Sequence, residues 1–313
     1  MKRRWMNGVR ILISIGALAF LFWKIGLGKT LAILAQADLR YLLAALVLFV
    51  LSLVVRACRW FVLLRSIALD IPFGRLLRLY FVGQFFSSFL PSQFGGDVIR
   101  ALELAQDTAP SAAVGTVLLD RITGLLMLFV MGLAVLPFQV SHMEPWLVWL
   151  LLAVAGGGLI VGALVLEGRL LRRLTRRLPA AISLTGEGPL ARVYAAVTGC
   201  GWRAVLMAFG VSIVFNVINI LIHWLCGQAL GAGISLGYFF AATPLLSVSG
   251  LIPSIGGWGV REAVSTAIFA PAGAGANTAA ALGMAIGGVA LITGLAGGVL
   301  YGIEGLLGLR TRR

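Results

Sequence analysis

Histidine and cysteine are scarce in this sequence, with 2 histidines and 3 cysteines among 313 residues. His142 and His223 lie far apart, and Cys58, Cys200 and Cys226 share no close spacing. The residues therefore indicate no disulfide framework, zinc site or Cys–His nucleophile. We expect neither a metal nor another cofactor.

Charge is scarce as well: charged residues make up 12% of the chain and hydrophobic residues 60%. Soluble domains are roughly half apolar, so a mean hydropathy of +1.02 predicts an integral membrane protein. Acidic residues are rarer than basic residues, and the formal net charge is therefore +14. The arginines cluster at the ends of apolar runs, where they hold loops in the cytoplasm and meet anionic headgroups. We therefore expect no nucleic-acid partner.

Six apolar runs are long enough to cross a hydrocarbon core of about 30 Å. They cover residues 9–27, 39–64, 113–136, 146–166, 204–230 and 277–303. The first resembles a signal peptide, but its small-residue triplet at 17–19 lies inside the apolar run, so we expect an uncleaved span. Two shorter apolar pieces, 76–90 and 236–252, each lead into Pro-Ser and then Gly-Gly.

The arginines also predict the topology. The hydrophilic stretch 167–203 is rich in arginine and is expected to be a cytoplasmic loop, on the same side as the basic N-terminus. This loop would lie outside if the first short piece crossed completely, so we predict that both pieces dip in and return, from opposite faces. The expected fold is an all-α integral membrane protein of the inner (cytoplasmic) membrane, with six crossings, two re-entrant broken helices and both termini cytoplasmic. Eight full crossings are the alternative. We expect one transmembrane domain over 1–313, with an inverted pseudo-repeat of halves at about 39–137 and 204–303.

The two dips contain similar segments, SFLPSQFGGDVIRA at 88–101 and SGLIPSIGGWGVREA at 249–263. Similar broken segments in oppositely oriented halves are typical of a transporter substrate site. The Gly-Gly pair in each permits a tight turn and close approach of a ligand. A helix that starts after each pair, with free N–H groups, suits an anion such as phosphate. The alternative is a pair of membrane-surface turns held by headgroups.

Charged residues follow both Gly-Gly pairs. Arg100 and Arg261 suit bidentate contacts with phosphate. Asp97 and Glu262 are expected to cap the helices or to pair with these arginines. Charge inside a membrane is costly, so residues of this kind are candidates for function.

Other charges lie inside the predicted spans. Arg56 and Arg59 share a helix face, where they either snorkel to headgroups or line a cavity. Asp120 and Arg121 are adjacent, and we expect each to pair with another helix, Asp120 with Arg56, Arg59 or Arg100. A polar stripe, for which packing is the favoured role, is formed by Asn216, Asn219 and His223. The predicted substrate site consists of Arg56, Arg59, Gly95, Gly96, Asp97, Arg100, Asp120, Arg121, Gly256, Gly257, Arg261 and Glu262, and we assign no catalytic residue.

The order of RACRW, PSQFGGDVIRA, LLDRITGL and PSIGGWGVREA resembles the flippase-like family found as the transmembrane region of lysylphosphatidylglycerol synthases. In bifunctional members of that family a cytosolic domain makes the lipid and the membrane region translocates it. The sequence ends at Arg313 without a synthase domain, so we expect a stand-alone member. The residues at the family's motif positions, which the resemblance implies as the site, are Arg56, Asp97, Arg100, Asp120, Arg121, Arg261 and Glu262.

Three functions remain as hypotheses. The first is a flippase or scramblase that binds the anionic or polar headgroup of a membrane lipid at the midplane, between the two dips. The second is an intramembrane lipid-phosphate transferase or hydrolase with Asp97 or Asp120 as base. The sequence places no histidine near the acidic motifs, and this argues against the second hypothesis. The third is a non-catalytic membrane subunit that works with a separate lipid-synthesis enzyme.

Overall fold

The computed structural model describes residues 27–90, 94–176 and 183–306, which form helices and turns and include no strand. The all-α prediction is therefore confirmed for the described chain. The predicted first span at 9–27 lies outside the described residues apart from Leu27, as do Pro91 and the arginines after position 307. In chain order the helices are α1 (Leu27–Ala35), α2 (Leu39–Ser66), α3 (Phe73–Phe89), α4 (Gly95–Leu104), α5 (Pro110–Gln139), α6 (Pro145–Glu167, with a π turn at Leu152–Gly156), α7 (Arg169–Thr175), α8 (Pro189–Gly199), α9 (Gly201–Ala229), α10 (Leu236–Ser249), α11 (Val260–Phe269) and α12 (Ala276–Leu306).

Five of the described helices, α2, α5, α6, α9 and α12, are long and apolar enough to cross a membrane. The shortest, α6, has 23 residues. That length corresponds to about 35 Å, against a hydrocarbon core of about 30 Å. Pro110 and Pro145 begin α5 and α6, at positions where the missing N–H has no helical partner to lose. These helices match five of the six predicted spans.

Helices α2 and α9 pack side by side in opposite directions and define the two ends of the bundle. The Asp38 N–H donates to the Ala229 carbonyl at 2.9 Å, and the Cys200 thiol donates to the Leu63 carbonyl at 3.6 Å. We call the end at Leu63 and Cys200 the basic end and the other the far end. The arginines at or near the basic end are Arg65, Arg75, Arg169, Arg172, Arg173, Arg192 and Arg203.

Helices α3 and α4 form a helical hairpin, hairpin 1, which starts and finishes at the basic end. Near its open end, Arg75 Nε lies 2.5 Å from Asp107 Oδ2. Near its tip, a Cβ on Gly96 would clash with the Gly83 carbonyl, so the two backbones are in direct contact. The chain therefore returns to the end from which it entered, as the predicted first dip requires.

Helices α10 and α11 form hairpin 2, which enters from the far end because α9 finishes there. The Tyr238 hydroxyl donates to the Ile268 carbonyl at 2.7 Å across its open end. The Gly256 N–H donates to the Leu90 carbonyl at 3.4 Å, so the tips of the two hairpins meet. This is the geometry that an inverted pair of dips requires. The boundaries of the half-repeats and the number of crossings stay predictions.

Helix α12 lies across both hairpins. Gly283 faces the backbone of Glu262 in α11, and Gly297 faces the carbonyl of Phe81 in α3. A side chain at either glycine would push the helix away from a hairpin, as is usual where small residues bring membrane helices together. Helix α12 thus contacts both hairpins and closes one side of the space between them.

Candidate functional site

Asp120 on α5 is 1% exposed and lies at the centre of a cluster of charges. Its Oδ1 accepts a hydrogen bond from Arg59 Nε at 2.7 Å. Its Oδ2 accepts from the Tyr80 hydroxyl at 2.5 Å and from Arg100 Nη2 at 3.2 Å. Two guanidinium groups and a hydroxyl offset the desolvation of this carboxylate, because its oxygens keep strong donors. The expected pairing of Asp120 with Arg59 or Arg100 is confirmed.

Asp97, in the first turn of α4, extends this cluster. Arg100 Nη1 lies 2.9 Å from Asp97 Oδ1, and Arg121 forms an ion pair with Asp97 Oδ2. Charges therefore alternate along Arg59, Asp120, Arg100, Asp97 and Arg121, a series that we call the ion-pair chain. It ties hairpin 1 to α2 and α5, and it turns Arg59 into the bundle rather than towards headgroups.

A cavity of about 290 Å³ lies between the two hairpins and helices α2, α5, α9 and α12. Both hairpins line it, for example through Ser88 on hairpin 1 and Trp258 on hairpin 2. The charged residues of its lining are Arg56, Arg59, Asp97, Asp120, Arg121 and Arg261. Four arginines and two aspartates give the lining a formal charge of +2. Such a charge inside an apolar bundle favours an anionic occupant.

Arg56 and Arg261 differ from Arg59 and Arg121, which also line the cavity, because no carboxylate of the described residues contacts them directly. The Arg56 guanidinium lies 4.8 Å from the centre of the Tyr80 ring. Arg261 donates a hydrogen bond to the Gly256 carbonyl, and its guanidinium lies 5.5 Å from the centre of the Trp258 ring. Within the described ranges, neither arginine forms an ion pair. An aromatic ring attracts a cation but does not cancel its charge, so both arginines keep a positive charge for an anion.

Some predicted site residues do not line the cavity: Gly95, Gly96, Arg100, Gly257 and Glu262. Gly96 contacts the α3 backbone, as described above, and a Cβ on Gly95 would meet the side chain of Leu90. Arg100 is buried in the ion-pair chain, and its guanidinium lies 3.7 Å from the centre of the Tyr80 ring. Gly95, Gly96 and Arg100 thus position hairpin 1, and other residues form the surface that a ligand would contact.

Glu262 caps the helix in which it lies. Its Oε2 accepts a hydrogen bond from the Gly259 N–H at 2.6 Å, at the start of α11. The expected capping role of Glu262 is confirmed. The same bond means that one N–H expected to serve an anion at this helix start is occupied by a carboxylate of the chain itself.

Helix α3 contributes polar residues that the sequence-based site did not include. Tyr80, Gln84 and Ser87 follow one another at intervals of four and three residues and so share a helix face. Ser88 is four residues after Gln84 and lies at the edge of the same face. The last three line the cavity, and Tyr80 binds Asp120. The sequence does contain a signal for this face, because these polar residues recur at helical spacing within an apolar segment.

The polar stripe on α9 both packs and faces the cavity. Asn216, Asn219 and His223 all line it. Asn216 Nδ2 donates to the Gly124 carbonyl at 3.0 Å, and His223 Nδ1 lies 3.5 Å from Thr243 Oγ1. A histidine therefore shares the cavity with the two aspartates, which its distance from them in the sequence did not indicate.

The chemistry that this lining supports best is the binding of an anion. Asp97 and Asp120 both bind arginines of the ion-pair chain, and this holds their carboxylates in place. In the part of the chain that the structure describes, no three His, Cys, Asp or Glu side chains gather as metal ligands would. The donors that remain in the lining are guanidinium, amide and hydroxyl groups, together with the indole of Trp258 and the imidazole of His223.

Comparisons with known proteins give the same broad picture. A family model described as the lysylphosphatidylglycerol synthase TM region matches residues 8–298. A UPF0104 membrane protein of Pyrococcus horikoshii is 25% identical over 116 residues, which is 36% of this chain and 35% of that protein. A UPF0104 membrane protein of Methanothermobacter thermautotrophicus is 31% identical over 118 residues, or 37% of this chain and 35% of that protein. The chain thus spans about a third of the length of these curated relatives.

Proposed function

The chain belongs to the family of lysylphosphatidylglycerol synthase transmembrane regions, and on that premise we propose that it translocates a lipid with an anionic headgroup across the inner membrane. It acts as a flippase or scramblase. The headgroup binds in the cavity between the two hairpins, and the acyl chains remain in the lipid.

The observation that supports this proposal most directly is the pair of cavity arginines that form no ion pair with a carboxylate of the described residues. Arg56 and Arg261 line one cavity, and they come from α2 and from hairpin 2, two elements that are far apart in the chain. A guanidinium group presents parallel N–H donors that match two oxygens of a phosphate. A phosphate between these two groups neutralises charge that the chain leaves unbalanced.

The hairpins provide the route. They enter from opposite ends of the bundle, and their tips meet through the bond between Gly256 and Leu90. In transporters built from oppositely oriented broken helices, one repeat rocks against the other around a fixed site. Such movement exposes the headgroup first to one leaflet and then to the other.

The orientation follows from the arginines. The basic end of the bundle faces the cytoplasm, since cytoplasmic loops of membrane proteins are enriched in arginine and lysine. Hairpin 1 then enters from the cytoplasmic side and hairpin 2 from the opposite side. The two termini lie outside the described residues, and their cytoplasmic location stays a prediction from the sequence.

Reconstitution into vesicles tests the proposal. Vesicles containing phosphatidylglycerol with a fluorescent acyl chain are treated with dithionite, which quenches only the outer leaflet, so the rate of loss beyond half of the signal measures translocation. Arg56→Gln and Arg261→Gln are each expected to slow translocation at least tenfold, because a hydrogen bond to a charged group contributes about 1.5–3 kcal/mol. Arg40→Gln is the matched control, because Arg40 is exposed on the same helix as Arg56 and does not line the cavity.

Other outcomes favour the other hypotheses. A chemically changed lipid, detected by mass spectrometry of the vesicle extract, would favour the transferase or hydrolase and would reassign Asp97 or Asp120 as a base. Translocation that requires an added lipid-synthesis enzyme would favour the subunit role. Translocation that is equally fast in Arg56→Gln, Arg261→Gln and the control would refute the anion site.

A further inference from the structure

Asn216 combines deep burial with an unused hydrogen-bond acceptor. Its side chain lines the cavity, and the residue is 1% exposed. Its Oδ1 is buried and has no donor among the residues that the structure describes. Buried acceptors in proteins are almost always paired, because an unpaired one has lost its water and gained nothing in return. This atom therefore indicates a donor that the protein itself does not supply.

The orientation of the amide follows from its other bond. Asn216 Nδ2 donates to the Gly124 carbonyl at 3.0 Å. A carbonyl oxygen only accepts, so the amide nitrogen has to face it and the amide oxygen has to face elsewhere. Hydrogen-bond chemistry thus identifies the free acceptor as the amide oxygen of Asn216.

The side chain of Asn216 lies near Arg59. Ser212, one turn before Asn216 on α9, accepts from Arg59 Nη1 at 3.0 Å. A Cβ on Gly124 would meet the same Arg59 guanidinium, so Arg59 and Asn216 are neighbours across this glycine. An anion held by the arginines brings only acceptors to this wall. Where the bound ligand displaces water from this wall, the atom that satisfies Asn216 Oδ1 has to be a different part of the same ligand.

We infer that the headgroup carries a hydrogen-bond donor, a hydroxyl or an amine, beside its phosphodiester, and that this donor binds Asn216 Oδ1. The inference rests on the proposed function and narrows it. A phosphodiester lipid without a donor in its headgroup meets the same arginines but leaves Asn216 unsatisfied. The cavity therefore selects for the donor as well as for the charge.

Two lipids of equal charge separate these requirements. Phosphatidylglycerol and phosphatidylmethanol are both phosphodiesters with one negative charge, but only the first has headgroup hydroxyls. Each lipid, with the same fluorescent acyl chain, is reconstituted with the full-length protein, and the dithionite assay gives a rate for each. We expect phosphatidylglycerol to move about tenfold faster, the effect of leaving one buried acceptor unpaired.

Two variants assign the preference to Asn216. Asn216→Leu, of similar size, is expected to bring the ratio of the two rates close to one. Arg261→Gln is expected to slow both lipids by the same factor and to leave their ratio unchanged. Because each variant is judged by a ratio within one preparation, a reduced yield of folded protein does not imitate the result.

The outcomes separate the inference from the proposed function. Equal rates for both lipids in the unmodified protein would overturn the inference and leave the translocation of anionic lipids intact. Rates for both lipids no higher than in protein-free vesicles would overturn the proposed function together with the inference. A soluble phosphate ester offers the same chemistry, so uptake of radiolabelled glycerol phosphate is measured in parallel. Its uptake without lipid movement would overturn the assignment to a lipid.

Discussion

Replacement of Asp120 by asparagine removes the one carboxylate that two buried arginines share. The side chain keeps its size, so the effect measured is that of the charge. Arg100 would retain the carboxylate of Asp97, while Arg59 would retain only neutral side-chain acceptors, the new amide oxygen and the hydroxyl of Ser212. Removal of one partner from a buried ion pair leaves an uncompensated charge and costs about 3–5 kcal/mol. We expect Asp120→Asn to lower the free energy of unfolding by about that amount.

The measurement is equilibrium unfolding in mixed micelles of a mild detergent and dodecyl sulfate, followed by circular dichroism. Asp70→Asn is the matched control. Asp70 lies 2.8 Å from Arg65, but its side chain is 76% exposed, and exposed ion pairs contribute about 0–1 kcal/mol. The two variants make the same chemical change to an ion pair at opposite extremes of burial.

A double variant tests the physical reason. In Arg59→Gln with Asp120→Asn the uncompensated guanidinium is absent, so this protein should be more stable than Asp120→Asn alone. Groups in one network are coupled in this way, whereas independent sites add. A loss below about 1 kcal/mol for Asp120→Asn, or simple addition of the two single effects, would refute the account of the ion-pair chain.

Two further predictions concern the fold and its orientation. Gly96→Val places a side chain against the Gly83 carbonyl, so it should prevent the closure of hairpin 1 and strongly reduce the yield of folded protein in detergent; Gly28→Val, at a glycine with open space around it, is the control. A cysteine introduced at the exposed Glu187 should react with a membrane-impermeant maleimide only from the cytoplasmic side. Background labelling of Cys200, the native cysteine next to this loop, should be low, because burial raises the pKa of its thiol and so lowers its thiolate fraction. Labelling of position 187 from outside would contradict the proposed orientation.

The sequence predicted the hairpins through charge. The arginine-rich stretch 167–203 predicted that the first dip returns to the membrane side from which it enters. Hairpin 1 starts and finishes at one end of the bundle, with Arg75 beside Asp107, and the membrane side of that end stays a prediction. The boundaries were less accurate: α5 begins at Pro110, three residues before the predicted span. Apolarity marks the part of a helix that lies in hydrocarbon, whereas the helix itself continues until its backbone finds a cap.

The site was harder to predict because sequence does not distinguish two uses of the same residue. Gly96 was expected to admit a ligand, and it admits a neighbouring helix instead. Arg100 was expected to bind the ligand, and it binds Asp97 and Asp120. A glycine that admits a ligand and a glycine that admits a helix have the same local sequence. The same is true of an arginine that binds a ligand and an arginine that binds a carboxylate of the protein. Which partner fills the space is decided by the packing of hairpin 1 on α2 and α5, which involves residues far apart in the chain.

The charges that the fold leaves unbalanced are the strongest link between structure and function. Three arginines of the ion-pair chain share Asp97 and Asp120, so the chain is able to supply carboxylates at this depth. Among the described residues neither Arg56 nor Arg261 forms an ion pair with a carboxylate, although both line the cavity. An unpaired guanidinium inside an apolar bundle destabilises it, and a cavity that served only packing would be more stable with leucine in its place. A ligand that brings the missing negative charge removes this cost, and it does so only while it lies between the two hairpins.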